Sequence, residues 1–504
     1  MMSGLYSGAT GLKGHATGMG VISNNVANIS TVGYKQSSVL YSDLMSQYMT
    51  GSASSDVVQS QLGAGATVGS VRTIFTQGGL ETGNTVTDLG INGIGFFAVS
   101  DGSVTEYTRA GNFSFTSTGE LVDSGGWNLM GYGIVNGTRS SALQPVVIDT
   151  SAVTGSGKMA GAATATITSC SQLGGLADSC QSADNPFFAM ASSYDGTADT
   201  PLSSGPCSYS QAIQFYDNTG ALRNGTVYYD LAGTENGQTA IEYVVALDDP
   251  SVDGSANAGT RAAGLLMAGT LAFSSSGELQ NITAFTPPSS GDPTDLTSWV
   301  PASVVNGSPA FTVTVAGSGT QTIGLDMGLT LDGSAASDLE SAAAASASPS
   351  SIYGTNASAT RNNAASSAYG DTTGIISQTM DGYGEGYLKD ITIAEDGTIS
   401  GQYSNGRSME LFQIPLFRFT SEDGLSHTGG NRYAATADSG AAQEGVAGTE
   451  NFGTINECVL EQSNVDLSTE FSNLIITQRG FQMNSKVVTT CDQLLQKALE
   501  IKRQ

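Results

Sequence analysis

The chain is 504 residues long and carries a formal net charge of −27, with only 12% charged side chains. So acidic a balance offers no basic face, which excludes nucleic acid and anionic membrane surfaces as partners, and no run of about 18 apolar residues exists to insert into a bilayer. Five cysteines without a CxxC pair, and only two histidines, leave no zinc pattern.

The length predicts more than one domain, and 65 glycines point to a turn-rich, β-rich middle. The first residues lack the basic region and apolar block of a cleaved secretory signal. Residues 1–35 read as a helix. Leu5, Leu12, Met19 and Val26 stand seven apart, and Gly8, His15, Ile22 and Ile29 form a second series offset by three. Together they make an imperfect a/d seam. Gly4, Gly8, Gly11, Gly14, Gly18 and Gly20 lie in the same segment, each costing a helix about 1 kcal/mol relative to alanine. The segment is therefore expected to be soft alone and helical when packed. His15 reads as a packed or solvated seam residue.

A short helix is expected around residues 41–48, followed by a Ser/Gly-rich linker and a strand-like run over 67–75. From residue 89 the pattern is strand and turn, with hairpin signals at Asn92–Gly93, Asp101–Gly102 and Asn136–Gly137. Trp127 and Tyr132 read as core or edge aromatics. Residues 151–210 are Ser/Ala/Gly-rich and hold Cys170, Cys180 and Cys207, where a Cys170–Cys180 pairing is left open. β-Branched and aromatic runs over 212–231, 239–247, 269–285 and 310–327 predict an antiparallel sandwich or barrel. Residues 333–374, rich in Ala, Ser and Asn, read as an irregular surface connection. A hairpin follows, with Ile391 and Ile393 alternating, a turn at Asp396–Gly397 and a return strand from Ile399. Pro415 marks an edge or a bulge.

The C-terminal segment, 458–504, is the stronger helix. Leu460, Leu467, Leu474, Phe481, Val488 and Leu495 stand seven apart. The companions four residues on are mixed: Phe471 and Leu499 are apolar, whereas Gln478, Ser485 and Asp492 are not. Arg479, Lys486, Lys497, Lys502 and Arg503 sit in the second half, favourable for the helix dipole. Cys491 reads as a small buried hydrophobe. No nucleophile elbow, phosphate loop, HExxH or calcium loop occurs, so no catalytic residue, metal ligand or cofactor is expected.

The two ends also carry a resemblance. NNVANISTVGYK (24–35) resembles the N-terminal signature of the bacterial flagellar rod, hook and hook-associated proteins, and LEQSNVDLSTEFSNLIITQRGFQMNSKVVTTCDQLL (460–495) resembles their C-terminal signature. DGYGEGYLKDITIAEDGTISGQYSNG (381–406) is similar to a hairpin of the hook members, and the large middle insertion favours hook over distal rod. The resemblance covers roughly 3–150 and 378–504.

It implies a mainly β fold with terminal α-helices, the N- and C-terminal helices coiled-coil-like and the β domains discontinuous and nested in one another. The expected layout is a helical polymerisation domain (1–35 and 458–504) and a linker or connecting region (36–75 and 445–457). An inner β domain (76–150 and 375–444) and inserted outer β domains (151–374) complete it. The implied function is that of a flagellar hook subunit, polymerising into a flexible curved tube that passes motor torque from rod to filament as a universal joint, outside the cell.

The implied partners are copies of itself, rod and hook-associated junction proteins, the hook cap and the flagellar type III export apparatus. On that view the subunit contacts are made by Leu5, Leu12, Met19, Ile22, Asn24, Asn25, Val26, Asn28, Gly33 and Tyr34. At the other end they are made by Leu460, Asn464, Asp466, Leu467, Phe471, Leu474, Gln478, Arg479, Phe481, Val488 and Leu495. A distal rod or hook-associated junction subunit is the alternative within the family, and a secreted β-domain binding protein or adhesin the alternative outside it.

Overall fold

In the computed structural model the described residues are 2–503, except 46, 54–55, 136, 149–156, 180–184, 203–204, 206, 289–291, 333–340 and 450. The chain divides into two units. One joins residues 1–157 with 387–504, and the other spans 158–386.

In the first unit, Met2–Ala27 and Leu467–Arg503 form two long helices. They pair antiparallel: Gly4 lies against Cys491, Gly11 against Asn484, Gly18 against Thr477, and Asn25 reaches Glu470. The N-terminal glycines have a steric role beyond softness. A Cβ at Gly8 would sit 2.9 Å from Val488 Cγ2, and one at Gly480 would sit 2.7 Å from the His15 ring. Glycine at these points lets the helix backbones approach closely, which offsets the propensity it costs.

The described residues of 41–48 are not helical. Ser37–Asp43 is a strand paired antiparallel with Ala66–Thr73, and Gln47–Ala53 pairs with Asp56–Leu62 in a second hairpin. Tyr41, Leu44, Met45 and Tyr48 have helical spacing, but Tyr41 is taken up by pairing with Val68 and Tyr48 by pairing with Gln61, so strand pairing overrides the local pattern. The Tyr41 ring lies against the N-terminal helix at Gly14 and Gly18.

The β part of this unit is a sheet buried on both faces. Successive residues of Phe97–Ser100 alternate sides: Phe97 and Val99 enter a core with Leu89, Ile91, Leu129, Ile399 and Leu416, while Phe96 and Ala98 enter a second with Tyr107, Phe419 and Tyr433. The Asp101–Gly102 turn joins Phe97–Ser100 to Thr105–Thr108, with Asp101 Oδ1 accepting the Ser103 and Val104 N–H groups. Asp396–Gly397 closes the hairpin in which Ile393 faces Ile399, and Gly397 takes φ of 83°.

Asn92–Gly93 does not close a hairpin. Leu89–Asn92 pairs with Thr454–Glu457, and Gly93 turns the chain away against Gly453. Asn136 lies outside the described residues. Ile414 and Pro415 stand where the strand changes partners, from Thr398–Tyr403 to Gln443–Val446, since proline has no N–H to continue the first ladder. Trp127 is half-buried with the Arg432 guanidinium 4.5 Å from its ring, and Tyr132 is buried, its hydroxyl donating to Glu444 at 2.5 Å.

The second unit is a sandwich. Six strands run in sequence order as an antiparallel sheet: Tyr209–Tyr216, Leu222–Glu235, Gln238–Leu247, Leu265–Phe273, Leu279–Thr286 and Val300–Pro301. The second sheet orders Ser303–Val305, Ser308–Val315, Gly319–Asp326, Thr166–Leu173 and Thr373–Met380. Phe215, Tyr229 and Tyr243 from the first sheet share a core with Ile167, Phe311 and Ile323 from the second.

Three expectations are corrected in this unit. The pairing of Thr166–Leu173 with Gly319–Asp326 is parallel, and the long connection a parallel pair needs is supplied by the intervening strands, the six-stranded sheet among them. Thr373–Met380 belongs to this sandwich through Thr166–Leu173, which moves the unit boundary from 374 to 386.

The third concerns the segment read as an irregular surface connection. In its described part it packs: Ala342–Ala347 and Pro349–Ile352 are helices that place Ala342, Ala345 and Ile352 in a core with Phe188, Val244 and Trp299. Small alanine side chains look featureless in sequence, yet they let a helix lie close on the sheet. Cys170 is a free, buried thiol, raised to about 12 by burial, while Cys180 lies outside the described residues. Cys491 is half-buried between the terminal helices.

Candidate assembly surface

The two signature stretches meet in one buried polar junction at the base of the helix pair. Glu461 lies at its centre. Its Oε1 accepts from Lys35 Nζ at 2.6 Å and from the Gly78 N–H at 2.8 Å, and its Oε2 accepts from Arg109 at 3.3 Å. The Lys35 and Glu461 side chains have no exposed surface. Lys35 also donates to the Thr76 carbonyl at 2.8 Å, and Arg109 to the Gly93 carbonyl at 2.9 Å. Burial pushes the Lys35 ammonium below its ordinary value, while Glu461 pulls it back. The neighbouring Glu422 carboxyl is raised by burial, against the opposite pull of Arg109 and Lys35.

A second cluster gathers around Asn25 and Glu470. Asn25 Nδ2 donates to the Ser37 carbonyl at 2.8 Å and to Glu470 at 3.3 Å, and its Oδ1 accepts from the Ser37 N–H and the Tyr34 hydroxyl. Gln36 donates to Glu470 at 2.6 Å, and Asn464 ties the Gln36 N–H to the Ile74 and Thr76 carbonyls. Asp466 caps the C-terminal helix, accepting from the Thr469 N–H at 2.6 Å.

Gly33 sits in the left-handed region at φ of 69°, with its N–H donating to the Glu461 carbonyl at 2.7 Å. A Cβ there would lie 2.5 Å from the Ala110 backbone nitrogen. Gly33→Ala is therefore expected to cost more than about 2 kcal/mol, from left-handed strain plus an overlap with rigid backbone. A lowered thermal midpoint by circular dichroism checks it.

These contacts place the predicted site residues. Asn25, Gly33 and Tyr34 are buried, and their polar groups are spent inside the chain. Asn464 is half-buried and its amide is spent inside the chain, whereas exposed Asp466 caps the helix. Asn24 is exposed, and Asn28 donates back to it at 2.9 Å. Leu5, Leu12, Met19, Ile22 and Val26 are half-buried along the N-terminal helix, as are Leu474, Phe481, Val488 and Leu495 along its partner. Leu460 is half-buried in the strand Val459–Glu461, ahead of the helix. Leu467, Phe471, Gln478 and Arg479 are exposed.

The inward companion positions are three residues after the main series, not four. Glu470, Thr477, Asn484 and Cys491 face the N-terminal helix, whereas Phe471, Gln478 and Asp492 point outward. A second apolar series, absent from the residues picked out by sequence, runs along the flank of the C-terminal helix: Ile476, Met483, Val487, Leu494 and Ile501. At about 100° per residue these five fall within one narrow stripe. All are exposed, Met483 to 71% and Ile501 to 75%, so this chain leaves the stripe without a partner. Its signal in the sequence is a second heptad series, masked by the stronger one beside it.

Comparison with known proteins gives this architecture a family. Residues 5–35 match the flagellar basal body rod protein model, and 90–165 match the D1 domain of flagellar hook protein FlgE/F/G. Residues 188–383 match the D2 domain of flagellar basal body protein FlaE, and 457–501 match the C-terminal domain of the flagellar basal body rod FlgEFG proteins. The flagellar hook protein FlgE of Borreliella burgdorferi is 29% identical over 518 residues, covering 100% of both chains. The chain belongs to the flagellar hook protein family.

The hook protein FlgE of Escherichia coli K12 is 28% identical over 488 residues, covering 96% of each chain. That of Helicobacter pylori 26695 is 46% identical over 124 residues, which is 25% of this chain and 17% of that one. The buried junction described above is thus the meeting point of the two terminal family segments, one supplying Lys35 and the other Glu461. Among the described residues, no helix is long and apolar enough to cross a membrane, and no group of three or more His, Cys, Asp or Glu side chains is placed to hold a metal ion.

Proposed function

We propose that this protein is the structural subunit of the flagellar hook, located outside the cell, and that many copies polymerise into a flexible curved tube carrying torque from rod to filament. The role is mechanical and requires no catalytic group. One observation carries the reading: the terminal helices are paired and anchored by a buried junction, yet the C-terminal helix retains an apolar heptad stripe with nothing on it. Such a stripe in a folded chain calls for a neighbouring copy.

This reading moves the assembly face. Ile476, Met483, Val487, Leu494 and Ile501 make the subunit contacts, with exposed Leu467 and Phe471 at the start of the helix. Asn25, Gly33, Tyr34, Asn464 and Asp466 instead hold the helix pair at a fixed exit angle. The half-buried series from Leu5 to Val26 and from Leu474 to Leu495 closes the pair within one chain. Partners at the tube ends are rod and hook-associated junction proteins, with the hook cap and type III export apparatus acting during growth.

Electron microscopy of basal bodies from a strain lacking the gene tests the proposal. Rods without a curved segment, restored by the intact gene, are expected. Normal curved segments in the deletion strain would contradict it.

A further inference from the structure

The second unit contains a buried acidic pair that the assembly role does not use. Asp230 and Glu242 stand directly opposite each other on adjacent antiparallel strands, so their side chains share one face. Glu242 is fully buried and Asp230 almost so. Each holds a piece of the excursion that precedes the six-stranded sheet. Glu242 accepts from the Met190 N–H at 2.9 Å and the Ala191 N–H at 3.1 Å, at the start of the short helix Ala189–Ser193. Asp230 accepts from the Ser179 N–H at 3.2 Å.

The helix in turn places Phe188, Met190 and Tyr194 over Val244, Phe285 and Trp299. Among the described residues no Lys, Arg or His forms an ion pair with Glu242.

We propose that Glu242, with Asp230 beside it, is a proton-operated latch that docks residues 187–194 on the sheet and releases them on the alkaline side. The carboxyl facing the helix is buried against backbone N–H groups, an apolar core and another carboxyl. Asp230 is the charged neighbour that acts on Glu242 among the described residues. The strand Leu222–Glu235 brings Asp230, and Leu265–Phe273 brings the uncharged Thr270 opposite Glu242. The helix brings only its backbone. Cys207 is the further titratable group near Asp230, and burial raises its thiol.

Burial pushes the Glu242 carboxyl up to about 8 from an ordinary 4.5; the Met190 and Ala191 N–H groups pull it down, and Asp230 adds to the rise. Because the docked value lies above the released one, docking is fully supported below about pH 4.5 and loses that support as pH rises through about 8. On the function proposed above, the protein stands outside the cell and meets the external pH.

Hydrogen exchange by mass spectrometry on the full-length protein, corrected for the intrinsic pH dependence of exchange, tests the latch. Between about pH 5 and pH 8, opening of 187–194 is expected to rise by roughly tenfold per pH unit, while the core strand 309–315 stays protected. Glu242→Gln, which can neither ionise nor lose its acceptor oxygen, is expected to flatten that dependence. A flat profile for 187–194 in the unsubstituted protein would overturn the proposal, as would opening of both segments together. The same slope surviving in Glu242→Gln would do so as well. If that variant does not fold, the comparison of the two segments in the unsubstituted protein decides alone.

Discussion

Glu461→Ala is expected to destabilise the first unit by about 3–5 kcal/mol, because it leaves Lys35 and Arg109 buried without their counter-charge. The loss also frees the Gly78 N–H and removes the acceptor that draws Lys35 toward residues 76–78. Few single changes are this costly, and they share the mechanism of an uncompensated buried charge. The effect should be regional. Denaturation followed by hydrogen exchange should show the junction at 33–36, 76–78 and 459–464 opening first, with the sandwich of 158–386 unchanged. Replacing Lys35 and Glu461 together by apolar residues of similar volume should recover much of the loss, since a buried pair as a whole contributes little net stability. If Glu461→Ala unfolds no earlier than the unsubstituted chain, the junction does not hold the helix pair.

Met483→Asp should have the opposite profile. The side chain is 71% exposed, so the folded chain should keep its stability to within about 0.5 kcal/mol. In a tube, however, every subunit would bury a carboxylate in an apolar seam, at a cost of several kcal/mol per contact. The concentration needed for assembly should rise by about two orders of magnitude or more, read by sedimentation of the purified chain. Gln482→Asp, about a third of a turn away on the polar side, serves as the control and should assemble normally. Leu474→Asp differs from both, because Leu474 is half-buried in the folded chain and its loss should weaken the single chain. Equal assembly by Met483→Asp and Gln482→Asp would remove the outer stripe from the interface.

Much of the architecture is legible in the residues alone. Turn chemistry at Asp101–Gly102 and Asp396–Gly397 places two hairpins correctly, since aspartate and glycine satisfy those loops locally. β-Branched and aromatic runs over 212–327 identify most strands of the sandwich, but not Thr166–Leu173 or Thr373–Met380. The terminal helices are visible from heptads alone.

What the residue pattern hides is set at a distance. Glu470, Thr477, Asn484 and Cys491 do not look like seam residues, because their partners are glycines and an asparagine on the other helix. The glycines look like helix weakeners, because only the partner helix shows that the missing Cβ is needed. Residues 41–48 carry a helical pattern that a distant strand overrides. The residues proposed for polymerisation and the junction residues share the same short motifs. Burial of Asn25 and Tyr34 separates them, and burial is a property of the folded chain.

The terminal helices pair within one chain and leave the outer stripe exposed. A Gly4→Cys variant tests this pairing directly, because a Cβ at residue 4 would lie 3.4 Å from Cys491 Sγ. Tubes assembled from this variant would be oxidised, dissolved without reductant and mapped by peptide mass spectrometry. A 4–491 disulfide is expected in chains that migrate as single subunits. A ladder of chain multiples joined through the same two residues would contradict it, because the helices would then pair between copies.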